Sequence, residues 1–161
     1  MSPFIPILTA GAAAAAVSDL RTRRIPNVHS AALAVAGLAC AAVERGLGGI
    51  AVAAAMIACV LLVGTIAFSR GWFGGGDVKL IAAGCSGLAP AHAVDFLLYT
   101  ALCGGLLALA ALAASPQRMA AAFLTRTLPQ TGTRLPYAVA IAGGALVLWV
   151  ALLWPAYLLV P

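Results

Sequence analysis

The residues best suited to acid–base chemistry in this sequence are two aspartates, Asp19 and Asp77, which lie at the ends of apolar segments. The chain has only four acidic residues, and an ionisable side chain at membrane depth suggests a functional site. Two carboxylates held close together do not both ionise easily, so one keeps a proton while the other remains a base. If the fold brings the two segments together, the pair can donate and accept protons in one reaction.

Each aspartate also has a structural interpretation that the sequence leaves open. Asp19 is four residues from Arg23, with which it can form an ion pair, and Asp77 can cap the helix that it begins. The other two acidic residues are expected to have structural roles. Glu44 lies in a predicted turn, and Asp95 follows a histidine by one helical turn.

The composition places these side chains in a membrane protein. Of the 161 residues, 64% are hydrophobic and 8% are charged, whereas soluble domains carry roughly 25% charged residues. This excludes a soluble enzyme. The apolar segments are long, rich in alanine and without period-2 alternation, so we expect helices, which satisfy their own backbone groups in lipid. The predicted fold is an all-α membrane protein, a polytopic bundle of about six transmembrane helices that form a single domain over residues 1–161. The predicted helices cover residues 3–18, 28–43, 47–68, 77–89, 91–114 and 136–160.

The cationic residues predict how the bundle is oriented. If residues 19–27 are cytoplasmic and six helices alternate, Arg45 is the one basic residue of nine on the opposite side, a strong positive-inside bias. Both aspartates then lie at similar depth at the cytoplasmic face. The other cations are Arg21, Arg23, Arg24, Arg70, Lys79, Arg118, Arg126 and Arg134.

The sequence indicates neither nucleic-acid binding nor a metal site. The net charge is +5, but the basic residues lie in short gaps between apolar segments rather than on a water-facing domain. The four cysteines lie within apolar segments and form no C-x-x-C pair. His29 and His92 are predicted on opposite faces of the membrane, so we expect no metal.

The residues after Asp19 form a helix boundary. Residues 25–27 read Ile-Pro-Asn, and Pro26 prevents helix 1 from continuing. Asn27 is expected to be the N-cap of helix 2.

Asp77 lies in the pattern Gly74-x-Gly76-Asp77-x-Lys79, in which the glycines allow a close approach of another chain. Together with Asp19 and the Ile-Pro-Asn segment, this pattern resembles the type IV prepilin peptidases, intramembrane aspartic proteases of the G-x-G-D class. Residues 135–137, Leu-Pro-Tyr, are similar to the final segment of that family.

The resemblance implies an aspartic endopeptidase that cleaves the short basic leader from type IV pilin-like precursors at the cytoplasmic face of a bacterial inner membrane, for pilus biogenesis and protein secretion. It implies catalysis by Asp19 and Asp77, and substrate or loop contacts by Gly74, Gly76 and Lys79. It implies no cofactor, and its expected partners are the pilin-like precursor and the lipid bilayer, without nucleic acid.

The sequence departs from the larger members of the family. Those members carry a cytoplasmic insertion with paired C-x-x-C motifs, associated with methylation of the new N-terminus. Residues 19–27 have no room for that insertion, so the chain resembles the peptidase-only members of tight-adherence (Flp-type) pilus systems. Helix dipoles further suggest that Asp77, near a helix N-terminus, is the ionised base, and that Asp19, near a C-terminus, holds the proton.

Two other interpretations remain open. Presenilin-like and signal-peptide-peptidase-like proteases also use G-x-G-D, but their first aspartate follows a tyrosine in a later helix, whereas Ser18 precedes Asp19 here. A non-enzymatic component of membrane assembly or transport would need no aspartate pair.

Overall fold

The computed structural model of the chain describes residues 2–114 and 136–158, and all of its regular elements are helices. Predicted features between residues 115 and 135, including three of the cations used for orientation, lie outside the described residues. In chain order the helices are α1 (Phe4–Thr22), α2 (Asn27–Ser69), α3 (Gly75–Cys85), α4 (Pro90–Ala113) and α5 (Tyr137–Leu158). The predicted all-α membrane fold is therefore confirmed.

The predicted count of six spanning helices is wrong for the described residues. Four helices, α1, α2, α4 and α5, are long and apolar enough to cross a membrane. One reason is that the predicted helices 28–43 and 47–68 are joined across a kink at Gly46 and count as one element, α2. The other is that α3 has 11 residues instead of the predicted 13, and its rise of about 16 Å is half of a hydrocarbon core of about 30 Å.

Helix α2 bends sharply at Gly46, the one residue inside it with non-helical backbone angles (φ 61°, ψ −150°). A Cβ atom added at Gly49 would overlap the carbonyl oxygen of Ala41, so the helix folds back on itself within a few residues of the bend. Its two limbs line a common groove through Ala34 on one side and Ile57 on the other. The break between the two predicted helices thus lies at the predicted position.

The short helix α3 lies at the centre of the bundle. It packs chiefly against α2 and also contacts α1, α4 and α5. Leu80 is fully buried, as is Phe96 of α4, and a Cβ atom at Gly84 would lie 2.9 Å from the Phe96 ring. Large apolar side chains on α2 and α4, among them Leu62 and Leu106, remain exposed, as expected for surfaces that face lipid.

The connection between α1 and α2 sets the position of the first aspartate. Helix α1 continues four residues beyond its predicted end, because Asp19 and the three residues after it remain helical. It ends at Arg23, whose backbone adopts the left-handed conformation (φ 54°, ψ 29°) and whose N–H donates to the carbonyl of Asp19. The N-cap of α2 is Pro26 and no side chain caps that end, so the predicted capping role of Asn27 is wrong.

The bend in α2 yields a stability prediction. At φ 61° and ψ −150° the backbone of Gly46 lies in a region that essentially only glycine adopts, and a side chain there costs about 1–3 kcal/mol. We expect Gly46→Ala to lower the melting temperature of the detergent-solubilised protein. Gly48→Ala is the matched control, since it lies in the same helix and its added Cβ would have no neighbour within 4 Å. Equal melting temperatures for the two variants would contradict the assigned bend.

Candidate active site

A cavity of about 300 Å³ lies between the end of α1, the turn formed by residues 23–26 and the start of α3. We call it the aspartate cavity. The structure thus brings both predicted aspartates to one space, although they lie in different helices and far apart in the sequence. The residues that line the aspartate cavity are Asp19, Arg23, Arg24, Ile25, Gly74, Gly75, Gly76 and Asp77.

Asp19 lies in the last turn of α1 and is 8% exposed. Its carbonyl accepts the hydrogen bond from the Arg23 N–H at 2.8 Å, which closes the helix one turn beyond the aspartate. The backbone of Asp19 is therefore held by the turn that forms one wall of the aspartate cavity.

Asp77 lies in the first turn of α3, three residues after the N-cap Gly74. Its carboxylate accepts a hydrogen bond from the Gly74 N–H, as an acidic residue at this position does in a capping box. Its predicted capping role is thus compatible with its place in the aspartate cavity. A Cβ atom at position 74 would lie 2.7 Å from the Asp77 Oδ2, so the absence of a side chain at Gly74 leaves room for this carboxylate.

The electrostatic surroundings make Asp77 a weaker acid than an ordinary aspartate. Burial raises its pKa from 3.8 to about 6, and the negative charge of Asp19 adds to this increase. The Gly74 hydrogen bond acts in the opposite direction, because it stabilises the charged form. A pKa of about 6 allows Asp77 to exchange a proton near neutral pH, which suits a general acid or base.

Burial of Asp77 opposes the helix-dipole effect that underlies the predicted assignment of protons. The dipole of α3 favours the charged carboxylate, but it contributes only about 0.3–1 kcal/mol. Burial and the charge of Asp19 act in the opposite direction and raise the pKa of Asp77 to about 6. That Asp77 is the ionised partner and Asp19 the protonated one stays a prediction.

The glycine segment brings the two motifs into contact. A Cβ atom at Gly76 would lie 3.3 Å from the Cβ of Ile25, so the side chain of Ile25 packs directly over the backbone of Gly76. Gly74 is extended (φ −74°), and positive φ angles occur instead at Gly46 and Gly71 among the described glycines. The glycines at 74 and 76 thus serve close approach rather than an unusual backbone conformation.

Lys79 does not line the aspartate cavity, where a substrate contact was predicted for it. Its Nζ donates a hydrogen bond to the Oδ1 of Asn27 at 3.1 Å, and both side chains are exposed. This bond joins the start of α2 to α3. The two motif residues therefore connect α2 with α3, the helix that carries Asp77, instead of lining the aspartate cavity.

Arg23 and Arg24, which the sequence analysis used to orient the bundle, both line the aspartate cavity. The sequence gives no signal for this position, because it depends on where α1 ends. Only three residues separate the end of α1 from Pro26, so the chain must wrap closely around the helix end that carries Asp19. Among the described residues, no group of three His, Cys, Asp or Glu side chains could hold a metal ion.

The beginning of α5 lies beside the glycine segment. The ring of Tyr137 contacts the ring of Phe73 edge to face, with centroids 5.2 Å apart and planes at 82°. A Cβ atom at Gly104 would lie 2.8 Å from the Tyr137 hydroxyl oxygen, so α4 approaches the same tyrosine closely. Of the predicted Leu-Pro-Tyr segment, Leu135 lies outside the described residues.

The raised pKa of Asp77 predicts a pH-dependent stability. Between its ordinary pKa of 3.8 and its folded pKa of about 6, the folded protein binds a proton that the unfolded chain has released. Raising the pH through this window therefore destabilises the wild-type protein. The Asp77→Asn variant has no such proton, so its melting temperature relative to wild type should increase between about pH 4 and pH 7.

Thermal unfolding in detergent at the two pH values measures this difference. Glu44→Gln is the control, since it removes an exposed carboxylate that does not line the aspartate cavity. If the melting temperatures of the wild type and Asp77→Asn change in parallel with pH, the raised pKa of Asp77 is contradicted.

Comparison with known proteins agrees with this geometry. The chain matches the model of the type IV leader peptidase family over residues 6–109, a range that includes both aspartates. Searches of curated proteins and of solved structures found no significant match. The matched range covers more than half of the 161 residues, which confirms the resemblance identified from the two motifs. The chain therefore belongs to the type IV leader peptidase family.

Proposed function

We propose that this protein is an intramembrane aspartic endopeptidase that removes the leader from type IV pilin-like precursors, and specifically from those of the Flp type. The observation that carries the proposal is that Asp19 and Asp77 line one cavity. Membership of the type IV leader peptidase family supports the peptidase activity. The pilin-like substrate rests on the resemblance of the two motifs to prepilin peptidases.

The proposed reaction needs two carboxylates and one water molecule. The ionised carboxylate takes a proton from water as the water oxygen attacks the carbonyl carbon of the scissile peptide bond. The protonated carboxyl donates a hydrogen bond to the carbonyl oxygen as negative charge develops there. When the carbon–nitrogen bond breaks, the leaving amine receives a proton from the pair. One carboxyl and one carboxylate remain, so the cycle can repeat.

The surroundings of the two aspartates support this use of the pair. Asp19 is buried, and its charge helps to raise the pKa of Asp77, so the carboxylates are close enough to influence one another. In such a pair the protons are shared, and the two apparent pKa values belong to the pair. This is the condition under which one member is an acid while the other is a base.

The active site is proposed to face the cytoplasm of a bacterial inner membrane. The support is the predicted positive-inside bias, since Arg23 and Arg24 lie in the cavity lining and Arg70 and Lys79 are close to it in the sequence. A substrate with an apolar helix in the membrane and a short leader at the cytoplasmic surface would present its scissile bond at this depth.

Replacing either aspartate tests the proposal. Asp19→Asn and Asp77→Asn should each abolish cleavage of a pilin precursor, because asparagine preserves the shape but cannot exchange the proton. The loss should be similar for the single and double variants, since residues that act as a unit give non-additive losses. Cleavage is measured by the mass of the product after co-expression, with the amount of membrane-inserted protein measured in parallel.

Asp95→Asn and Glu44→Gln are the matched controls and should process the precursor nearly normally. Asp95 is 3.7 Å from His92 at the start of α4, and neither carboxylate lines the aspartate cavity. Near-normal processing by either Asp19→Asn or Asp77→Asn would overturn the aspartic mechanism and favour a non-enzymatic role in assembly.

The same spectra test a second expectation, that the protein does not methylate its product. The reason is that the sequence has no C-x-x-C pair and no room between Asp19 and Asn27 for the insertion of the larger prepilin peptidases. A pilin processed with this protein as the only peptidase should have the mass of the unmodified new N-terminus. An added methyl group would reveal a transferase activity.

A further inference from the structure

Two hydroxyl groups at the end of α1 converge on one carbonyl of the 23–26 turn. The Oγ of Ser18 donates to the Arg24 carbonyl oxygen at 3.2 Å, and the Oγ1 of Thr22 donates to the same oxygen at 3.1 Å. Thr22 also lies 2.9 Å from the Ser18 carbonyl oxygen. A hydroxyl has one proton, so Thr22 shares it between the two acceptors.

These bonds act on a turn whose conformation is not the one its sequence favours. Arg23 adopts the left-handed backbone conformation (φ 54°) and is the one non-glycine residue in the described chain that does so. Residues other than glycine adopt it at a cost, so other contacts must hold the turn in place. The two hydroxyls provide such contacts at the next residue.

The position of the 23–26 turn determines the shape of the aspartate cavity. Arg23, Arg24 and Ile25 line it, and Ile25 packs over the backbone of Gly76, next to Asp77. Ser18 precedes Asp19 in the same helical turn. The two hydroxyls therefore tie the helix that carries one aspartate to the turn that rests on the segment carrying the other.

We propose that Ser18 and Thr22 are positioning residues, which hold the 23–26 turn and so set the separation of the two aspartates. The inference rests on the proposed peptidase function and extends it to two residues outside the G-x-G-D pattern. Without both hydroxyls the turn relaxes, Ile25 shifts on Gly76, and the coupling between the two carboxylates changes.

The test uses variants that remove the hydroxyls with little change in volume. The double variant Ser18→Ala/Thr22→Val should lower kcat for precursor cleavage about tenfold, a loss typical of a small displacement of reacting groups, with KM nearly unchanged. Its pH–rate profile should also shift relative to wild type, because the apparent pKa values depend on the coupling of the pair. Thr22→Ser keeps both hydroxyl donors and loses only a methyl group, so it should have the kcat and the pH–rate profile of the wild type.

Thr65→Val is the matched control. The Oγ1 of Thr65 donates to the carbonyl of Leu61, one turn back in α2, at 2.6 Å, as Thr22 donates to the carbonyl of Ser18, but it makes no bond to a turn at the aspartate cavity. We expect wild-type kcat and pH profile for Thr65→Val, and a change in melting temperature similar to that of Thr22→Val.

The results separate the positioning role from the peptidase function. If Asp19→Asn abolishes cleavage but Ser18→Ala/Thr22→Val has the kcat and pH profile of the wild type, the positioning role is overturned and the peptidase function stands. A lower kcat of Ser18→Ala/Thr22→Val with an unshifted pH–rate profile also overturns the positioning role. An equal loss of kcat in Thr22→Ser, which keeps both hydroxyls, overturns it as well. If Asp19→Asn cleaves normally, the function itself fails, and with it the role of the two hydroxyls.

Discussion

The burial of two carboxylates in one cavity is the constraint on which the rest of this structure depends. A charged carboxylate is costly in an apolar environment, and two close together are more so. At Asp77 the cost is reduced by its position at the start of α3, where Gly74 donates a hydrogen bond to it. Enough burial remains to raise the pKa of Asp77 to about 6.

The short helix α3 makes this placement possible. Its first turn carries Asp77 and borders the aspartate cavity, and most of the residues after that turn are buried against the other helices. Small residues allow this close packing, as where Gly64 approaches Val78 and Gly84 approaches Phe96. The central helix thus combines a half-buried N-terminus at the aspartate cavity with a buried remainder.

Polar and apolar contacts near the aspartate cavity connect segments that are distant in the sequence. Lys79 bonds to Asn27, Ile25 packs over Gly76, and the hydroxyls of Ser18 and Thr22 hold the intervening turn. The residues of the two family motifs therefore have different tasks. The aspartates form the proposed reacting pair, whereas Asn27, Lys79 and Ile25 join the elements that carry them.

The sequence by itself determined the helical membrane fold, the break at Gly46 and the pairing of Asp19 with Asp77, because hydropathy, a helix boundary and a family motif are local patterns. Only the tertiary structure decided that Asn27 bonds to Lys79 instead of capping α2, and that Arg23 and Arg24 line the aspartate cavity. It also decided that burial and the charge of Asp19 raise the pKa of Asp77. These outcomes depend on which side chains distant segments bring within a few ångströms, and helical periodicity carries no information about those distances.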